Sequence, residues 1–494
     1  MPRRRLVALL TLALTAVGLG ACAPSSPSGS TDGAPGADGR DVGVQLFQWT
    51  WDSIARECTD VLGPAGFGWV LTSPPQEHVL GEAWWTAYQP VSYLVESRLG
   101  TREEFAAMVT ACREAGVDVI ADAVVNHMTG QDAPGTGWAG SPYEHYSYPG
   151  LYTEDDFHHC GLAPNDDIAD YSDAAQVQTC ELVNLADLDT ADPEVQASIR
   201  GYLEDLLDLG VAGFRIDAAK HIAAEDVAAI LEPLPEGTIV MQEVIGSRGE
   251  PIQPADYADI GSVFDFYYAG FLTGAVTGGT LEQVVHPDGA NTGLTSEGAV
   301  VFVDNHDTER NGTTLSFRDG ERYQLAMALL LASPYGTPVI LSGYEFGHLD
   351  RDLGPNQDAE GAVLDAECAS EVGPDVEREN GDWICQHRWD AVLGMVEWRR
   401  AADGAPVEDA TTTDRVLTLH RGDAVLAANG SRDEASVRLA TGLPAGDYCD
   451  LGAGPVVDGE CVGGVVAVDE DGVAELVLPS LAVVALAPDA RPAA

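Results

Sequence analysis

From Asp41 to about residue 342 the chain repeats one grammar, a short apolar segment followed by a stretch of helical periodicity. Val42–Trp49 is rich in β-formers, and a helical signal starts at Asp52 with Ile54, Ala55, Cys58 and Val61 at helical spacing. Phe67–Thr72 predicts the next strand. Thr101-Arg102-Glu103-Glu104 is a capping box, which opens a helix through Ala115. Val117–Val125 is almost wholly apolar, as a strand covered on both faces must be. Pro193–Leu209 predicts a helix. Gly213–Ile216, Thr238–Val244, a shorter Val263–Tyr267 and Ala299–Val303 predict four more strands, and the helix Tyr323–Ala332 leads into strand Pro338–Ser342. Buried strands alternating with helices imply a parallel sheet, and eight such units fit a closed (β/α)8 barrel.

Two regions break the rhythm. Residues 128–186 are rich in Gly, Pro, Asp, Tyr and His with no convincing helix, which suggests an irregular domain inserted after the third strand. From 404 to 494, short Val/Leu strands alternate with Gly, Asp and Pro turns, as in a separate antiparallel β-sandwich domain. The barrel is therefore expected in two parts, 41–127 and 187–403.

The N-terminus reads as an export signal. Met1–Arg5 is basic, and Leu6–Leu19 is an apolar run too short to span a bilayer. Leu19-Gly20-Ala21-Cys22 resembles a bacterial lipobox, so residues 1–22 read as a leader with Cys22 as the lipidated residue. Residues 23–40 read as a flexible linker of Ala, Pro, Ser, Gly and Asp. A lipid on Cys22 would anchor the protein to the outer face of a membrane. Of nine cysteines this leaves eight, and the lack of any C-x-x-C pair favours disulfides over metal ligation in an exported chain.

Charge narrows the partners. There are 25 basic against 79 acidic residues, a formal charge of −54, and Lys220 is the only lysine. Nucleic acid and anionic lipid surfaces both require clustered Lys and Arg, so a polymeric partner must be neutral or cationic.

Polar clusters sit where the apolar strands end: Asp122-Ala123-Val124-Val125-Asn126-His127, Gly213 through His221, Gln242-Glu243-Val244, and Phe302 through Asp307. In a barrel of this kind the active site lies at the C-terminal strand ends. Arg215 and Asp217 point to the same side of an extended strand, so the arginine is expected to aim the carboxylate and lower its pKa. Asp217, Glu243 and Asp307 come from three strands that a closed barrel could converge on one point. Two close carboxyls are what retaining glycoside hydrolysis needs, one as nucleophile and one as acid/base. A third would help keep the acid protonated.

These four segments resemble the conserved regions of the α-amylase family of retaining glycoside hydrolases, a TIM-barrel family. Phe47-Gln48-Trp49, Ser73-Pro74-Pro75 and Trp84-Trp85 through Tyr93 resemble its animal-type branch and bacterial relatives. The resemblance implies Asp217 as nucleophile, Glu243 as general acid/base and Asp307 as transition-state stabiliser. It implies sugar contacts from Trp84, Trp85, Tyr88, Gln89, His127 and His306, with Arg215 orienting Asp217 and with Lys220 and His221 on the aglycone side. It suggests the disulfides Cys58–Cys112, Cys160–Cys180, Cys368–Cys385 and Cys449–Cys461. A structural Ca2+ is implied on Asn126, Asp187 and the backbone carbonyls of Gln178 and His221, all oxygen donors suited to a hard cation. Chloride is not expected, because the position where chloride-activated relatives carry a base is Glu345 here. The implied activity is endo-hydrolysis of α-1,4-glucosidic bonds in starch, glycogen or maltooligosaccharides by an extracellular monomer. A transglycosylase or exo-acting oligosaccharide hydrolase would use the same triad, and a non-catalytic glucan-binding lipoprotein would lack one of its members.

Overall fold

The computed structural model describes residues 39–285, 293–347, 350–402 and 404–493. The leader, Cys22 and nearly all of the linker lie outside the described residues. The expected linker ends earlier than residue 40, because Arg40 already docks on the barrel, donating to the carbonyls of Gly63 and Phe67 at 3.0 and 2.7 Å.

Eight parallel strands close into a barrel in chain order: β1 Gly43–Leu46, β2 Trp69–Leu71, β3 Asp118–Ala123, β4 Gly213–Ile216, β5 Ile239–Gln242, β6 Ser262–Phe264, β7 Ala299–Val301 and β8 Thr337–Ser342. β8 closes on β1, with Gly43 opposite Val339 and Leu46 opposite Ser342. Period-two alternation sends one set of side chains inward, and Trp69, Leu71, Ile120, Met241, Phe264 and Val300 pack together there. Gly43 faces this layer because nothing larger fits: a Cβ there would come within 2.1 Å of the Trp69 indole.

The helix Arg102–Glu114 starts with the expected capping box at Thr101 and Glu104. Two expectations change. The sixth strand stops at Phe264, and Tyr267 belongs to a helix, Phe266–Gly278, capped by the Asp265 side chain accepting from Tyr268 N. The inserted domain does contain a helix, Ala174–Thr179, which is too short to show periodicity and is capped by Asp173. The same domain carries a two-stranded hairpin and is stitched to the barrel by Met128 N to Ala186 O at 2.9 Å and Leu188 N to Asn126 O at 3.0 Å.

Beyond the barrel, Val407–Thr413, Val416–Arg421, Ala424–Asn429 and Val483–Leu486 form a four-stranded antiparallel sheet, with further antiparallel pairs beside it. The Trp398 indole from the last barrel helix donates to Val425 and Leu486 carbonyls of that sheet at 3.1 and 3.2 Å. Among the described residues no helix is long and apolar enough to cross a membrane.

Candidate active site at the strand ends

The strand ladder continues one residue past β4 and β5 and so fixes both key carboxyls. Asp217 N donates to Ala123 O at 3.0 Å, and Glu243 N donates to Ile216 O at 3.1 Å. Beneath them Arg215 fills the mouth of the barrel. Its Nη1 donates to Asp122 Oδ1 at 2.6 Å and Asp217 Oδ1 at 2.9 Å, while Nη2 lies 2.9 Å from Glu243 Oε1. The other Glu243 oxygen accepts from Ala218 N at 2.9 Å. Ala218 has φ +49, a conformation that costs a residue with a Cβ about 1 kcal/mol or more, and it follows Asp217 directly. Asp307 stands at the turn after β7, where its N–H and that of Thr308 both donate to the Asn305 side chain.

One guanidinium among this many acids cannot keep all of them ionised. Burial raises the pKa of Asp217, of Glu243 and of Asp307, and Arg215 only partly offsets it in each. Arg215 lowers Asp217 as expected, through charge and a hydrogen bond, but desolvation outweighs it, because the arginine is shared with Asp122 and Glu243. Asp122 itself, fully buried, is pushed up to about 7 by burial. Asp217 and Asp307 further raise Glu243, the direction a general acid needs.

The carboxyls open into a cleft of about 710 Å³ walled by Trp84, Trp85, Tyr88, Gln89, His127, Lys220, His221 and His306. Every sugar-contact residue expected from the sequence lines it except Arg215, which lies underneath. Burial keeps His306 neutral. Its Nδ1 accepts from Gln45 Nε2 at 3.1 Å, leaving Nε2–H to face Asp307 Oδ2 at 3.3 Å or a ligand hydroxyl. His127, lowered to about 4 by burial, has both ring nitrogens engaged, Nε2–H on Tyr88 O at 3.0 Å and Nδ1 near the Asn126 amide at 3.3 Å. Gln89 Oε1 is likewise occupied, by Thr129, Gly130 and Gln131. Lys220 Nζ donates to Ile245 O at 2.7 Å and Glu250 at 2.6 Å, and sits 5.1 Å from the Tyr171 ring centre. Tyr171, Glu250 and Asp122 escaped the sequence reading as site residues. Asp122 belongs to a strand-end motif, but its bond to Arg215 spans 93 positions.

The "Alpha amylase, catalytic domain" family profile matches residues 73–243. An α-amylase of Thermomonospora curvata is 43% identical over 478 residues, covering 93% of this chain and 75% of that one. An α-amylase of Tenebrio molitor is 38% identical over 463 residues, covering 90% of this chain and 96% of the relative. The chain belongs to the α-amylase family. A solved structure of a mutant α-amylase I from Eisenia fetida with maltohexaose agrees in fold, with a TM-score of 0.81 at 31% identity, covering 91% of this chain and 97% of that one. This α-amylase is a starch-hydrolysing glycoside hydrolase.

Its four disulfides are the expected Cys58–Cys112, Cys160–Cys180, Cys368–Cys385 and Cys449–Cys461. Of the expected calcium ligands, Asn126 and Asp187 meet, with Asn126 Nδ2 3.3 Å from Asp187 Oδ1. Gln178 and His221 are brought near each other, since His221 Nδ1 lies 2.9 Å from the carbonyl of Val177. His158 Nδ1 sits 2.7 Å from the other Asp187 oxygen, an unforeseen partner. Among the described residues no three His, Cys, Asp or Glu side chains converge as a metal cluster. A hard cation here would take a single carboxylate with neutral oxygens, a donor set that Ca2+ accepts. Glu345 forms an ion pair with Arg318 at 2.7 Å.

Proposed function

We propose that this amylase cleaves internal α-1,4-glucosidic bonds of starch, glycogen and maltooligosaccharides with retention of configuration. The observation that carries the reading is the placement of Asp217 and Glu243 on the two ends of one buried guanidinium, both facing the cleft. Asp217 attacks the anomeric carbon while Glu243 protonates the departing glycosidic oxygen. Water then attacks the anomeric carbon of the glycosyl-enzyme, giving a proton to the Glu243 carboxylate as the bond to Asp217 breaks. Asp307 faces the developing positive charge on the sugar. Trp84, Trp85 and Tyr88 offer flat faces for glucose rings.

The partly exposed Trp84 and Trp85 and the −54 formal charge both suit a neutral glucan. The maltohexaose bound by the Eisenia fetida enzyme supports the same substrate class. A structural Ca2+ on Asn126, Asp187 and the carbonyls of Gln178 and His221 would clamp the inserted domain beside the cleft. Its support is the buried Asp187 carboxylate, which burial pushes up to about 7 and which a cation would hold ionised. Export and lipid attachment at Cys22 rest on the sequence of the leader alone, and the protein acts as an extracellular monomer.

Reducing-end release from soluble starch tests the assignment, with proton NMR of the first-formed anomer. The wild type should release the α-anomer, and Glu243→Gln should lose about 10²–10⁴ of the rate while still binding maltooligosaccharide. Equal activity of the two proteins would refute the acid role, and a β-anomer product would refute retention.

A further inference from the structure

Arg98 is a buried cation without an anion. It is 1% exposed, and no carboxylate ion-pairs with it among the described residues; burial lowers it to about 10. Such a group is costly to desolvate, and an apolar side chain could fill the same space without that cost. Its bonds show what the charge does instead. Nη1 donates to Gly81 O at 3.3 Å, Ala83 O at 3.1 Å and Thr86 Oγ1 at 3.2 Å, and Nη2 donates to Trp84 O at 3.3 Å and to Gln48 Oε1. Four of these five acceptors belong to one six-residue turn. The Arg98 backbone is fixed too, its N–H donating to Nε2 of the buried, neutral His78 at 3.3 Å.

That turn carries the cleft's aromatic wall. The Trp84 ring meets His306 edge-on at 5.6 Å and Tyr88 at 5.8 Å, and Tyr88 stacks on His306 at 5.2 Å. Trp85 is different: it makes no ring contact among the described residues, although it lines the cleft. Its orientation therefore depends on the backbone to either side, and the groups flanking it, Trp84 O and Thr86 Oγ1, are both held by Arg98.

Building on the glucan-hydrolase reading above, we propose that Arg98 is a positioning residue that fixes the Trp84–Trp85 sugar platform against the catalytic carboxyls by gripping the 81–86 turn. It bonds to none of the cleft carboxyls and is not among the residues that line the cleft. Its removal should therefore loosen sugar binding and leave the chemistry intact.

The test compares wild type with Arg98→Met, and with Arg98→Lys and Thr86→Val as milder cuts that keep the question open to measurement should the first not fold. With maltohexaose as substrate, KM should rise about tenfold in the arginine variants and about threefold in Thr86→Val. kcat should stay within about threefold and the pH profile unchanged. In a Glu243→Gln background, the tryptophan fluorescence change on adding maltohexaose should shrink in the same order. Folded variants with KM within about twofold of wild type, or with kcat lowered at constant KM, would overturn the proposal. An inactive wild type would instead refute the glucan-hydrolase reading, so the two failures are distinguishable.

Discussion

Nη2 of Arg215 lies 2.9 Å from Oε1 of Glu243, so the proposed general acid shares its guanidinium with the proposed nucleophile, held by Nη1 at 2.9 Å. Arg215 opposes the burial that raises both carboxyls. The nucleophile must be ionised, so its raised pKa sets the acid limb, where activity is lost as pH falls. The acid must be protonated, so the raised pKa of Glu243 sets the basic limb, where activity is lost as pH rises. Arg215→Gln removes the opposing charge. Both limbs should then move to higher pH, and kcat should fall by about 10²–10³, the usual effect of losing a preorganised donor. A profile of kcat/KM against pH checks this, and an acid limb that stays in place would show that Arg215 does not hold Asp217 ionised.

The parts legible in the sequence are those encoded locally. Gly213–Ile216 and the Thr101–Glu104 cap lie where their periodicity and side-chain chemistry place them, and the four strand-end motifs bring their carboxyls together because a closed barrel leaves them nowhere else to go. The helix Phe266–Gly278 was hidden because its residues are apolar all round, so no face stands out and its aromatic start imitates a strand. Arg98 was hidden for a different reason. Nothing beside it in sequence distinguishes it from a surface arginine, and its role depends on a turn up to 17 residues away. The net charge of the site was also illegible, since Asp122, Asp217 and Glu243 share Arg215 only after folding.

Calcium should act on stability. A cation that binds the folded chain alone stabilises it by about 2.7 kcal/mol at a hundred times its Kd. Thermal unfolding in Ca2+ should therefore occur several degrees above unfolding in a chelator. Asp187→Asn, which keeps the shape and removes the one carboxylate, should abolish most of that gap. A wild type whose midpoint ignores Ca2+ would refute the site.

Chloride should have no effect. Glu345 stands where chloride-activated relatives are expected to carry a base, and its carboxylate faces Arg318 at 2.7 Å. An acid there repels an anion, and the guanidinium of Arg215 is already occupied by carboxylates. Replacing chloride with gluconate at constant ionic strength should leave kcat/KM within about twofold. A larger fall in gluconate would mean that an anion site survives nearby.

Glu57 offers a prediction about stability away from the cleft. Its carboxylate, 2% exposed as a residue, joins the first barrel helix to the short turn Gln386–Arg388 that precedes the last barrel helix, with Oε1 at 2.7 Å from both His387 Nε2 and Arg388 Nε. Burial would raise its pKa, but the bonds to His387 and Arg388 outweigh burial and bring it down from 4.5 to about 2. A depressed folded-state pKa gives stability that is fully present above the unfolded value and is lost as pH falls toward the folded one. The contribution at pH 7 is about 3 kcal/mol, taken at the low end because Arg388 is a third exposed. Glu57→Gln should therefore unfold several degrees below wild type at pH 7, and the gap should narrow as pH is lowered from about 5 toward 3. Calorimetry of both proteins across that range decides it: a gap that is absent at pH 7, or that does not shrink in acid, would show that the ionised form of Glu57 is not what holds the helix to the barrel.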